Sequence, residues 1–288
     1  MRANQSTDNT VAPTRQAVVR ANAATISQEE FNQFKAWIFQ IAGISLSDHK
    51  HALVMGRLAR RLRHHQLATH GEYFRLLSGG KFPEEAQIAV DLLTTNETHF
   101  FREPKHFDFL RAKIVADHPF GKPMRVWSAA SSSGEEPYSI AMTLAAGLGD
   151  RPWEVLASDL SSQVLERARS GHYAMARAKT IPREHLLAYC LKGVDSREGT
   201  FLIDPKIRSR VQFMQVNLNN TLPKLGEFDV IFLRNVMIYF DLPTKRQVVA
   251  RVLTQLRTGG HLIIGHSENL NGVTDSVKTV AASVYRKA

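Results

Sequence analysis

The sequence predicts an α/β protein: a doubly wound, mostly parallel sheet preceded by a small all-helical region. Three observations predict it. Residues 125–159 read as strand, tight turn, helix and strand, with short apolar-rich runs at Arg125–Ala129 and Trp153–Ser158 around a helix-spaced set of Ile140, Met142, Leu144 and Leu148. Phe228–Leu233 is almost continuously apolar, as expected of a strand buried on both faces at the centre of a parallel sheet. Residues 27–96, in contrast, carry helical periodicity throughout.

Taken in order, residues 1–26 are polar, lack the continuous apolar stretch of a secretory signal, and read as a disordered tail. Ser27-Gln28-Glu29-Glu30 is a capping box that opens a helix through Phe31, Phe34, Ile38 and Ile41, ended by Gly43. Ser47 is placed to cap a second helix reaching about His65, and Thr69-His70-Gly71-Glu72 forms another capping box before Tyr73, Leu76 and Leu77. Gly79, Gly80 and Pro83 precede a helix ending near Leu93. Residues 27–95 are thus expected to form a helical domain, 96–123 a linker that contributes to the site, and 124–288 the α/β domain. Within the latter, 163–171 and Ile181–Leu191 read as helices. Gly193, Gly199 and Thr200–Ile203 suggest a small antiparallel insert, bounded at 189–212. Val211–Val216, Phe228–Leu233 and His261–Ile264 are strands, residues 244–256 an amphipathic helix, and Val277–Arg286 a closing antiparallel hairpin.

Composition narrows the class. A chain of 288 residues with 43% hydrophobic and 22% charged residues has enough apolar surface for two ordinary domains, and no apolar run approaches a membrane span. The single cysteine, Cys190, cannot form an internal disulfide, which fits a reducing cytoplasm. A net charge of +10 points to an anionic partner. Part of that charge sits on the second helix. There Met55, Leu58 and Leu62 share one face, and Lys50, Arg57, Arg61 and His64 lie nearly opposite, with Arg60 alongside. Acids are almost absent from this helix after Asp48, so no intrahelical pair relieves the repulsion. Either the face is solvated, or it docks on something anionic.

The turn after the first strand decides the ligand class. It has one glycine, Gly134, rather than G-x-G-x-x-G, and it is followed by Glu135 and Glu136. Two carboxylates would repel a pyrophosphate, so the pair favours a cationic or uncharged ligand such as a sulfonium nucleoside carrying an amino group; alternatively, both acids merely complement a helix N-terminus. Asp159 closes the second strand at about the spacing, roughly 20 residues, at which such folds set an acid on ribose hydroxyls. No H-E-x-x-H, cysteine pair, nucleophile elbow or Walker A pattern is present, so no metal is expected.

Six motifs occur in this order: TTNETHFFRE, VWSAASSSGEEPYSIAM, ASD, VNL, FLRNVMIYF and GHSEN. Together they closely resemble the CheR family of bacterial chemotaxis methyltransferases, over about residues 27–288. The resemblance implies a class I S-adenosylmethionine-dependent methyltransferase fold, with an antiparallel last strand, a helical N-terminal domain and an inserted β-subdomain. It implies a cytoplasmic, monomeric enzyme that methylates glutamate carboxylates of chemoreceptors, on their cytoplasmic helical domain, giving methyl esters and S-adenosylhomocysteine. Neither membrane insertion nor nucleic acid is part of that activity. Residue by residue, it implies Asn96, Thr98 and Arg102 around the methionine end and the reacting centre, Glu136 near the amino group and Asp159 on the ribose. Asn217-Leu218 and Arg234-Asn235 fall around the adenosine, and Tyr239 faces the substrate together with Arg102. The basic helix, with Lys50, Arg57, Arg60, Arg61 and His64, would dock on the receptor. His266-Ser267-Glu268 matches a family motif whose role the sequence does not supply. Two alternatives belong to other classes: a nucleic-acid methyltransferase, and a non-catalytic adaptor that binds S-adenosylmethionine as a signal. Arg234-Asn235-Val236-Met237 stands where amino-directed nucleic-acid methyltransferases carry an Asn/Asp-Pro-Pro-aromatic motif, and retention of Arg102 and Tyr239 argues against the adaptor.

Overall fold

A computed structural model describes residues 25–288; the predicted N-terminal tail, apart from its last two residues, lies outside them. The chain divides into two compact units. The first holds the described residues up to Trp37 together with Leu46–Leu93, and the second holds Ile38–Ser45 and Thr94–Ala288.

The helices are α1 (Gln28–Ala42), α2 (His51–His64), α3 (His70–Ser78), α4 (Pro83–Leu93), α5 (Lys105–Phe109), α6 (Glu135–Leu148), α7 (Ser162–Ser170), α8 (Arg183–Tyr189), α9 (Pro205–Arg208) and α10 (Leu242–Thr254). Both capping boxes form. The Ser27 amide donates to Glu30 at 2.8 Å while the Glu30 amide donates to the Ser27 hydroxyl at 3.1 Å, and Thr69 and Glu72 repeat the exchange. Ser47 does not cap with its side chain; a 3-10 turn, Asp48–Lys50, leads into α2 instead. In the first unit Phe31, Phe34, Val54, Leu58, Leu62, Tyr73, Leu77, Val90 and Leu93 are buried.

The second unit is built on a seven-stranded sheet. Its strands are β1 (Met124–Ser128), β2 (Trp153–Asp159), β6 (Val211–Gln215), β7 (Phe228–Leu233), β8 (Leu256–Ile264), β9 (Val277–Ala281) and β10 (Val284–Lys287), while β3 (His172–Ala174), β4 (Cys190–Lys192) and β5 (Thr200–Ile203) form a separate antiparallel sheet. The large sheet runs β6-β2-β1-β7-β8-β10-β9, parallel from β6 to β8, with β10 antiparallel to both of its neighbours. The apolar run of β7 follows from its place near the middle. Val230 and Phe232 enter one core with Phe107, Leu110 and Ile140. Ile231 and Leu233 enter the other with Trp127, Val248 and Leu262.

Three boundaries differ from the sequence reading. Residues 96–123 are not a linker: Phe100, Phe107, Leu110, Ile114 and Val115 are core residues, and α5 runs on into a π-helical turn at Leu110–Val115. The small sheet begins before residue 189, since β3 pairs with β5 through His172–Leu202 and Tyr173–Phe201, whereas Val211 and Gln212 pair with Val155 and Leu156 in the large sheet. Finally, Ile38–Ser45 goes with the α/β unit. Ile44 bridges Phe240, the Ser45 amide donates to the Tyr239 carbonyl at 2.8 Å, and Asn217 Nδ2 donates to the Ile41 carbonyl at 2.7 Å. Helical periodicity shows that a segment has an apolar face but not which partner covers it.

Candidate active site

The site lies at the carboxyl ends of β1, β2, β7 and β8, where an open parallel sheet presents its crevice. Its floor is the turn after β1. Ser132 and Gly134 both take left-handed backbone, with φ of 48° and 98°. A Cβ on Gly134 would stand 2.7 Å from Tyr173 Oη and 2.9 Å from Ala168 Cβ, so only glycine fits there. Asp159 at the end of β2 accepts from the Ser132 amide at 2.8 Å and the Ser161 amide at 2.9 Å, which orient its carboxylate. Asn96 borders the same turn, its carbonyl accepting from Ser132 Oγ at 2.8 Å.

Glu135 and Glu136 are both buried, and each is paired. Glu135 accepts from Ser133 Oγ at 2.7 Å and from Arg177. Glu136 accepts from Ser128 Oγ at 2.8 Å and from Arg234 Nη1 at 2.7 Å; burial pushes its carboxyl pKa up while Arg234 opposes the shift. This corrects the charge argument made from sequence. Each acid has an arginine partner from elsewhere in the chain, so their adjacency in sequence does not measure the charge they present to a ligand.

Arg234 was expected beside the adenosine. Its side chain is instead 1% exposed and sits between two acids, Glu136 at 2.7 Å and Glu103 at 3.0 Å. It also donates from Nη2 to the Arg102 carbonyl at 2.5 Å and lies over the Phe107 ring, 5.8 Å from its centroid. The guanidinium therefore ties the segment carrying Arg102 to the end of β7. Asn235 continues this junction with a left-handed φ of 56°, its Nδ2 donating to Glu103 Oε1 at 3.3 Å. Arg102 itself is half-buried, flanked by left-handed Phe101 and Glu103, and donates from Nη1 to the Glu97 carbonyl at 3.0 Å. Thr98 and Tyr239 are half-buried, and Tyr239 ends a 3-10 turn, Met237–Tyr239. Asn217 and Leu218 turn inward. The Asn217 side chain bonds the Ile41 carbonyl and accepts from the Asn219 amide at 2.9 Å, and Leu218 is a core residue.

Sequence reasoning missed Glu103, Ser128 and Arg177, which make sense only through partners far away in the chain. It also missed a spatial group of Glu103, His106 and His266, whose potential ligand atoms lie within 4.8 Å of one another. Arg234 already supplies a cation to Glu103. His106 is 1% exposed, with neither ring nitrogen hydrogen-bonded among the described residues, and burial and then Arg234 push its pKa down to about 4, which keeps it neutral at pH 7.

In the first unit, Arg57 donates from Nη1 to the Leu93 carbonyl at 3.1 Å, and Arg61 pairs with Glu85 on α4. The acid that α2 lacks comes from another helix, because Arg61 flanks the buried Val54–Leu58–Leu62 stripe rather than opposing it. Lys50, Arg60, Arg63 and His64 are exposed.

Comparison with known proteins identifies the family. The family model for the CheR methyltransferase SAM binding domain matches residues 96–286, and that for the CheR all-alpha domain matches 29–94. The chain belongs to the CheR family. Curated CheR relatives named chemotaxis protein methyltransferase are 44% identical in Escherichia coli, covering 90% of this chain and 91% of that one, and 41% identical in Salmonella typhimurium, covering 90% of each. Chemotaxis protein methyltransferase 2 of Pseudomonas aeruginosa is 40% identical, covering 91% of this chain and 94% of that one. The CheR model boundary at residue 96 falls within two residues of the start of the second unit's long segment at Thr94. As a CheR-family methyltransferase the chain uses S-adenosylmethionine, and the acid at the end of β2 has a specific expected effect. Asp159→Ala should weaken S-adenosylhomocysteine binding by about 1.5–3 kcal/mol, the worth of a charged hydrogen bond. Calorimetry showing unchanged affinity would remove Asp159 from the site.

Proposed function

We propose that this protein transfers the methyl group of S-adenosylmethionine to glutamate side chains on the cytoplasmic helical domain of chemoreceptors. The supporting observation is the junction at Arg234, which ties the Arg102 segment and the end of β7 to Glu136, just after the β1 turn, in a CheR-family chain. When bound, S-adenosylmethionine supplies a methyl carbon on a cationic sulfur. A glutamate carboxylate is already an anion at neutral pH, so it needs no general base. Its oxygen forms the new bond to the methyl carbon while the carbon–sulfur pair returns to sulfur. The products are a neutral ester and a neutral thioether, with no proton transferred. The protein's task is therefore in-line placement and partial desolvation of the nucleophile. Arg102 orients the carboxylate with its planar fork, and Tyr239 donates one hydrogen bond. Asn96 and Thr98 line the methionine end, Asp159 the ribose, and the backbone at Asn217-Leu218 and Asn235 the adenosine part. Glu136 and Arg234 support the site from behind.

Transfer of labelled methyl to receptor-rich membranes, with RNA and DNA as controls, tests this reading. Label in an alkali-labile ester on receptors supports it, and label only in nucleic acid overturns it. No helix among the described residues is long and apolar enough to cross a membrane. Docking on an anionic receptor surface is the role for which the exposed cations of α2 are suited. These, rather than Arg61, carry that role. Arg60→Glu with Arg63→Glu should raise the receptor KM about tenfold, or about 1.4 kcal/mol, and leave cofactor affinity unchanged. Wild-type activity should fall as salt rises. A normal KM in the double variant would return this face to solvent.

A further inference from the structure

The motif Gly265-His266-Ser267-Glu268 follows β8 and takes no part in the chemistry above. Its acid nevertheless has an unusual environment. Glu268 Oε2 accepts the Gly265 amide at 2.7 Å and the Asn235 amide at 2.9 Å. Its Oε1 accepts the Met237 amide at 2.8 Å and the Ile238 amide at 3.3 Å. All four donors are backbone N–H groups, and three belong to the loop between β7 and α10. In that loop Asn235 is left-handed and Met237–Tyr239 form a 3-10 turn, a course that turns these three amides toward Glu268. Gly265 leaves the room: a Cβ there would lie 2.5 Å from Asn235 Nδ2 and 2.9 Å from Glu268 Oε2.

We infer that Glu268 is a positioning residue for methyl transfer, whose carboxylate clamps the Asn235–Ile238 backbone and so fixes where Tyr239 stands. An anion with two equivalent oxygens is what this nest of donors requires. An amide of the same shape turns an NH2 group toward N–H donors in either orientation and so loses one side of the clamp. Aspartate, one methylene shorter, keeps the charge but cannot span both pairs. The inference rests on the role proposed for Tyr239, and its test separates the two.

Glu268→Gln should lower kcat on receptor 10- to 100-fold, with receptor KM within twofold of wild type, and Glu268→Asp should recover part of the loss. If Glu268 acts through Tyr239, adding Glu268→Gln to Tyr239→Phe should change kcat by no more than twofold. A general disturbance of the fold would multiply the two effects instead and overturn the inference, as would a Glu268→Gln kcat within twofold of wild type. Hydrogen exchange reads the clamp without any receptor. The Asn235, Met237 and Ile238 amides should exchange at least tenfold faster in Glu268→Gln, and unchanged exchange overturns the clamp even where receptor methylation is normal. A wild-type protein that leaves receptors unmethylated while these amides behave as expected would sink the substrate reading and leave the clamp standing.

Discussion

Arg234→Met is expected to destabilise the α/β unit by about 3–5 kcal/mol, the usual cost of removing one partner from a buried ionic group. The loss leaves buried Glu136 and half-buried Glu103 without their shared cation, and it releases the Arg102 carbonyl from its donor. Chemical denaturation measures it directly. Arg234→Lys should fall between methionine and wild type, because an ammonium keeps the charge but cannot reach three acceptors along a planar fork. An arginine that only touched an adenosine would behave otherwise, with weaker cofactor binding and an unchanged denaturation midpoint. A methionine variant within about 1 kcal/mol of wild type would restore that simpler role.

Arg61→Glu should be nearly as damaging, for the helical unit. Glu85 is 6% exposed and accepts from Arg61 Nε at 2.8 Å and Tyr73 Oη at 2.6 Å, with His65 Nε2 at 3.0 Å. Burial works against its charge, yet bonds from Arg61, Tyr73 and His65 outweigh burial and hold its carboxyl at about 2. Against an ordinary value of 4.5, that depression corresponds to about 3 kcal/mol. The stabilisation is complete above pH 4.5 and is lost as pH falls toward 2, because only the unfolded chain binds the proton readily in that window. Reversing Arg61 sets a second carboxylate against Glu85, so the variant should unfold well below the wild-type melting temperature and lose this acid-side slope. Arg60→Glu, on an exposed residue, should melt within about 0.5 kcal/mol of wild type. Equal melting of the two variants would show that Arg61 is as free as its exposed neighbour.

The contrast between Arg60 and Arg61 shows what the sequence could carry. The strands, the capping boxes and the turn at Gly134 were legible because each depends on residues within a few positions of one another. The order of motifs named the family. What stayed hidden depends on partners far apart in the chain. Glu85 answers Arg61 from α4, Arg234 answers Glu136, and Glu268 answers four amides, three of them about 30 residues away. The sequence reading draws the apolar face through Met55, Leu58 and Leu62, whereas the buried stripe is Val54, Leu58 and Leu62, which turns the face toward Arg61 and puts it at the flank rather than opposite. Likewise, two adjacent acids at a helix start look like a negative patch until their arginines are found. The motif at His266–Glu268 could be recognised without being explained, since its acid serves backbone groups, which leave no trace in side-chain identity.

The division of the chain also bears on how it is made. Ile38–Ser45 leaves the ribosome long before the strands it joins; the bond from Asn217 to the Ile41 carbonyl spans 176 residues. At about 5–20 residues per second, that segment waits roughly 10–35 seconds for its partner. Meanwhile Leu46–Leu93, which lies between the two stretches of the α/β unit, is complete and rich in local contacts, so it can fold during the wait. The α/β unit closes last, around an element synthesised before most of the helical unit. A polypeptide begun at residue 96 would reach the end of translation with the Asn217 amide and the Tyr239 carbonyl lacking the backbone partners that Ile41 and Ser45 provide.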